Sequence, residues 1–124
     1  MVARLTLLAL GGALGTLGRY GVQVGLVQRS AHPALGTAAV NLLGCLLLGL
    51  AWGALDRREL LGGDLKLIVV TGMLGAFTTF SALMFDTARL ARDDSLAIAI
   101  ANVGGQVVLG GALLVVGVLA TRLG

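Results

Sequence analysis

"SAHPALGTAAVNLLGCLLLGLAWGAL", residues 30–55, runs for 26 residues without a Lys, Arg, Asp or Glu. A helix needs about 20 mostly apolar residues to cross the hydrocarbon core of a bilayer. This run alone exceeds that length, so it decides the fold class as a membrane span. The same partition recurs on both sides of it. Residues 5–28 hold one charge, Arg19, while 67–85 and 95–121 hold none. The reading is an all-α membrane protein with four transmembrane helices near 5–28, 33–55, 66–89 and 95–121, in one domain over 1–124. Pro33 suits the first turn of the second helix. Arg4 ahead of an apolar run resembles the start of a signal peptide. The run outlasts that pattern and has three successors, which excludes it. The connections fall near 29–32, 56–64 and 90–94.

Composition agrees. Apolar residues make up 57% and charged residues 12% of the chain, against about 25% charged in soluble domains. Mean hydropathy is +0.98. The net charge of +3 comes from dispersed basic residues, with no basic run or aromatic platform for nucleic acid. Cys45 is the single cysteine and reads as a small buried hydrophobe, with no histidine placed to activate it. His32 is the one histidine, where a metal site needs several such ligands.

Glycine numbers 20. Gly11 and Gly15, Gly21 and Gly25, and Gly49 and Gly53 are spaced for close helix contact, which holds helices together in lipid. Gly104, Gly105, Gly110 and Gly111 extend the pattern to the fourth helix and point to association between subunits. With four spans, Arg4, Arg57, Arg58, Lys66 and Arg122 share one side of the membrane. Arg29, Arg89 and Arg92 lie on the other, with Arg19 near it. So weak a bias permits insertion in both orientations, and two opposed copies would build an inverted repeat.

Polar groups inside spans are costly and face protein or water. Thr37 and Asn41 share a face of helix two, and Asn102 and Gln106 share a face of helix four. Helix three carries "GAFTTFSALMFD", residues 75–86, with Thr78, Thr79 and Ser81 among Phe77, Phe80 and Phe85. Gly72, Gly75 and the adjacent threonines are poor or moderate helix formers, so a break in helix three is expected there. Broken helices at membrane depth line cavities or bind ions. Freed carbonyls suit a cation. Hydroxyls, amide N–H groups and phenyl edges suit an anion. Against this stand blander roles: threonines bonding back to their own helix, amides that only join helices, Arg19 snorkelling to the interface, and Asp86 facing headgroup water.

"GGALGTLGRY" (11–20), "GTAAVNLLGCLLLG" (36–49) and "GMLGAFTTFS" (72–81) resemble the signatures of the CrcB/Fluc fluoride channels. The likeness covers the first three helices. It implies a multi-pass protein of the inner (plasma) membrane, forming a dual-topology antiparallel homodimer with two pores that passively exports fluoride. It further implies that Asn41 donates its amide to the anion, that Phe80 flanks the pore, and that Ser81, beside Thr79, belongs to a hydroxyl-lined track. Gly75 and Thr78 would offer backbone carbonyls to a structural sodium ion at the dimer interface. Arg19 matches an arginine near the end of helix one, and Asp86 a position usually held by glutamate. This chain departs from the pattern at "TTFSAL": Leu83 stands for a second phenylalanine and Ala82 for a threonine. Asn102 and Gln106 occupy the part of helix four where tyrosine and hydroxyl residues are usual, and are read as replacing lost hydrogen-bonding capacity in the fluoride pathway.

Three other readings compete. A small four-helix proton-coupled multidrug exporter needs a carboxylate buried in a span, and the only glutamate, Glu59, falls in a loop. A packing subunit would explain the glycines but not the amides and hydroxyls together. An enzyme lacks any nucleophile–base pair or metal cluster in the sequence.

Overall fold

The computed structural model describes residues 1–29, 32–58 and 63–123. Glu59 and the middle of its connection lie outside them. Among the described residues every element is helical. Helix α1 spans Val2–Val27, α2 spans Pro33–Arg58 and α3 spans Gly63–Lys66. The chain then continues through a π-helical segment, Leu67–Leu74, into α4, Gly75–Phe77. Helix α5 covers Phe80–Asp93 and α6 covers Leu96–Leu123. Three of these stretches are long and apolar enough to cross a membrane: Pro33–Leu55, Asp64–Asp93 and Leu96–Arg122. Helix α1 is as long, at 26 residues, but its glycines and Arg19 dilute its hydropathy.

The starts of α2 and α6 follow side-chain chemistry. His32 Nδ1 accepts the Ala34 N–H at 3.3 Å in the first turn of α2. The Ser95 hydroxyl accepts the Ile98 N–H at 3.3 Å at the head of α6. Each meets a donor that the helix cannot satisfy itself. The π-helical segment contains Ile68, Val69, Val70 and Thr71 in a row.

Glycine sets the closest packing. Helices α2 and α6 run against each other over most of their length. A Cβ on Gly117 would lie 2.6 Å from the Leu46 carbonyl and 2.7 Å from the Leu50 nitrogen, so the two backbones touch there. A Cβ on Gly15 would strike the Met73 carbonyl, which brings α1 onto the π-helical segment. Gly21, Gly25, Gly104, Gly105 and Gly111 meet nothing within 4 Å. Of the glycines singled out in the sequence for close helix contact, those at 11, 15, 49, 53 and 110 serve contacts inside the chain. The others leave open faces.

The core is small. Ala34, Leu90 and Ala99 form one buried cluster, and Val40 is fully buried. Large apolar side chains point outward instead, among them Leu14, Leu17, Val107 and Val108. Charged contacts gather at the two ends of the helices. At one end Arg4 pairs with Asp64, and Lys66 Nζ lies 3.8 Å from the centre of the Trp52 ring. At the other, His32 Nε2 is 3.7 Å from Asp94, and Arg92 pairs with Asp93.

Candidate ion pathway

Between α4 and α5 the chain leaves the helical conformation for two residues. Thr78 has φ −81° and ψ 159°, and Thr79 has φ −151° and ψ 111°. Extended backbone inside an apolar span needs partners for its polar groups, and Asn41 of α2 supplies them. Asn41 Oδ1 accepts the Thr79 N–H at 2.8 Å. Asn41 Nδ2 donates to the Thr79 carbonyl at 3.2 Å. One side chain thus mimics a strand neighbour. It takes the Thr79 N–H that an uninterrupted helix would aim at the Gly75 carbonyl.

The remaining groups close the gap from both sides. The Thr78 hydroxyl donates back to the Leu74 carbonyl at 3.2 Å. The Thr79 hydroxyl caps α5 by accepting the Ala82 N–H at 3.3 Å, and it lies 3.3 Å from the Ser81 hydroxyl. Gly44 makes this packing possible, since a Cβ there would collide with the Thr78 methyl group.

From Asn41 a line of amides runs through α6 to α5. Asn41 Nδ2 donates to Gln106 Oε1 at 2.9 Å. Gln106 Nε2 donates to Asn102 Oδ1 at 3.0 Å. Asn102 Nδ2 donates to the Thr87 hydroxyl at 2.9 Å, and that hydroxyl donates to the Leu83 carbonyl at 2.7 Å. Gln106 is buried, with 8% of its surface exposed, yet each of its polar ends has a partner.

Two cavities adjoin this seam. The first, about 300 Å³, is lined by Asn41, Thr79, Phe80, Leu83 and Gln106, with Gly75 and Thr78 on its wall. The second, about 310 Å³, lies toward the His32 end and is lined by Asn102 with Leu35, Leu90 and Ile98. The amide line connects one to the other. Phe80 is largely exposed and Leu83 buried, although both border the first cavity.

Seven of the eleven residues read from the sequence therefore share one cavity: Asn41, Gly75, Thr78, Thr79, Phe80, Leu83 and Gln106. Asn102 joins through Gln106 and Ser81 through Thr79. Asp86 is buried on α5 between Leu83 and Leu90, and among the described residues no hydrogen bond or ion pair reaches it. Arg19 is half-buried on α1 and borders neither cavity. Thr87 was not among the residues singled out. Its signal was available in the hairpin of α5 and α6, because Thr87 and Asn102 lie equally far from the turn at Asp94–Ser95.

Known proteins resemble the chain over most of its length. The profile of the family described as "CrcB-like protein, Camphor Resistance (CrcB)" matches residues 6–118. The fluoride-specific ion channel FluC of Nitratidesulfovibrio vulgaris is 45% identical over 122 residues, covering 97% of this chain and 98% of that one. FluC of Maridesulfovibrio salexigens is 42% identical over 94% of this chain and 93% of its own. FluC of Paracoccus denitrificans is 43% identical over 92% and 90% respectively. The match spans every helix described above, and on that extent the chain belongs to the CrcB-like family.

Proposed function

We propose that the chain is a fluoride-selective channel, not an enzyme, which lets fluoride leave the cytoplasm passively across the inner (plasma) membrane. The observation that carries this reading is a neutral seam of amides beside extended backbone, set between two cavities inside apolar helices. Its relatives bear the name fluoride-specific ion channel. Fluoride is small and strongly hydrated, so a pore must replace lost water contacts with donors. Conduction also requires that the ion be released. Several modest neutral donors in series meet both demands better than one buried cation.

In this reading all four long helical stretches span the bilayer, and the interruption at Thr78–Thr79 serves the pore. Asn41, Gln106 and Asn102 offer amides, Thr79 and Ser81 hydroxyls, and Phe80 a ring beside the path, with Leu83 filling the facing position. An anion that takes an Asn41 N–H displaces one of its two partners, and the 3.2 Å bond to the Thr79 carbonyl is the longer. Arg19 and Asp86 act at the ends of the path. The working unit is an antiparallel homodimer with two pores. Both ends of the helices carry basic and acidic residues, and several glycines face no neighbour among the described residues. Both features favour that assembly. A sodium ion at its interface suits the carbonyls of Gly75 and Thr78, since hard cations take oxygen ligands and a second copy doubles the set.

A passive channel is driven by the membrane potential, about 2.3 kcal/mol per charge at 100 mV. Fluoride efflux from liposomes holding only this protein is expected to follow an imposed potassium–valinomycin potential and to ignore a proton gradient. Efflux that requires the proton gradient, or ethidium transport driven by it, would assign the chain to proton-coupled exporters instead.

A further inference from the structure

Amide nitrogen and oxygen are interchangeable in shape, so a line of three amides has two possible polarities. Here both ends of the line demand the same one. At the α4–α5 end, the Thr79 backbone N–H can only donate, so it must meet Asn41 Oδ1, as it does at 2.8 Å. At the other end, the hydroxyl of Thr87 has a single hydrogen, and that hydrogen goes to the Leu83 carbonyl at 2.7 Å. A carbonyl cannot donate in return. The Thr87 oxygen is therefore left as an acceptor, and Asn102 must turn its nitrogen toward it. Asn102 then presents its oxygen to Gln106, and Gln106 its oxygen to Asn41.

The donor count follows. Asn41 has two N–H bonds, and both have partners in the protein. Gln106 and Asn102 each use one of two. Among the described residues, the two uncommitted donors of the seam are thus one N–H on Gln106, at the first cavity, and one on Asn102, at the second. Reversing the line would point carbonyl oxygens at the same places and repel an anion.

We infer that Thr87 is a positioning residue for fluoride passage. Its hydroxyl locks the polarity of the Asn102–Gln106–Asn41 line, so that the free N–H groups of Gln106 and Asn102 hand the anion from one cavity to the next. The inference rests on the fluoride-channel reading for its ligand. The hydrogen-bond polarity itself does not depend on that reading.

The test compares wild type with Thr87→Ser, Thr87→Val, Thr87→Ala, Asn102→Leu and the Thr87→Val/Asn102→Leu double variant. Fluoride efflux from liposomes is read alongside proton exchange of the Asn102 side-chain amide by NMR in micelles. Thr87→Ser keeps the acceptor and is expected near the wild-type rate, with a protected Asn102 amide. Thr87→Val and Thr87→Ala are expected to slow efflux about tenfold, the scale of one hydrogen bond to a charged group, and to expose that amide to exchange. The double variant is expected to be no slower than Asn102→Leu, because coupled residues are not additive. Wild-type efflux in both Thr87→Val and Thr87→Ala, or Thr87→Ser as slow as Thr87→Val, overturns the inference. So does a double variant slowed by the full product of the two single effects. Should wild type itself pass no fluoride while exchange protection still follows the hydroxyl, the positioning role stands and the fluoride reading falls. An amide equally protected in Thr87→Val removes the positioning role.

Discussion

Asn41 joins three things that a lipid-facing residue has no means to join: the extended Thr79 backbone, the α6 amides and the first cavity. Leucine in its place would leave a backbone N–H and a carbonyl without partners at membrane depth, which costs about 1–3 kcal/mol. Asn41→Leu is therefore expected to lower the unfolding temperature in detergent and to abolish fluoride efflux; a variant that conducts normally would mean that the Thr79 backbone is held by something else. Gly44 is the matching steric element. Gly44→Ala places a methyl group where the Thr78 methyl sits, and overpacking of this kind costs about 1–3 kcal/mol. Thermal unfolding of the purified variant should show that loss, whereas Gly21→Ala, which meets no atom within 4 Å, should leave the chain's own stability unchanged. At this scale the sequence was legible where a polar residue interrupts an apolar run, as at Asn41, Asn102 and Gln106. It was less so at Thr87, which sits beside a charge in a more polar stretch and gains meaning only from the register of the α5–α6 hairpin.

Among the elements, the chain leaves the helix where weak helix formers coincide with a partner able to hold them. Adjacent threonines alone do not stop a helix. Here Thr78 and Thr79 are extended because Asn41 bonds the backbone of one and Gly44 makes room for the other. The π-helical segment ahead of them was not legible, since β-branched side chains only slightly disfavour an α-helix and do not specify a π turn. The spacing of Gly49 and Gly53 did indicate close packing, but not its partner, which is α6. The two α6 amides belong to this scale too, because they join α2 to α5 across α6. Replacing both, Asn102→Leu with Gln106→Leu, is expected to cut fluoride efflux while the protein still dimerises. Unchanged efflux would remove them from the path.

For the whole molecule, composition and four charge-poor stretches were enough to read an all-helical membrane protein. What they lack is any measure of what covers its outer faces. Helix α6 leaves Val107, Val108 and Leu109 exposed, with Gly104 and Gly105 open beside them. Lipid and a second copy satisfy such a face equally well by hydrophobicity alone, since apolar tails and apolar side chains are alike in that respect. In the proposed dimer, Gly104→Leu is expected to shift the detergent-solubilised protein toward monomer by light scattering. An unchanged mass would place the interface elsewhere.

The central claim is that neutral N–H and O–H donors, not a fixed positive charge, select the ion. Paired electrode traces of fluoride and chloride release from the same reconstituted vesicles test it most directly. Rapid loss of fluoride with chloride retained is the predicted result; release of both ions at equal rates, or of neither, would contradict it.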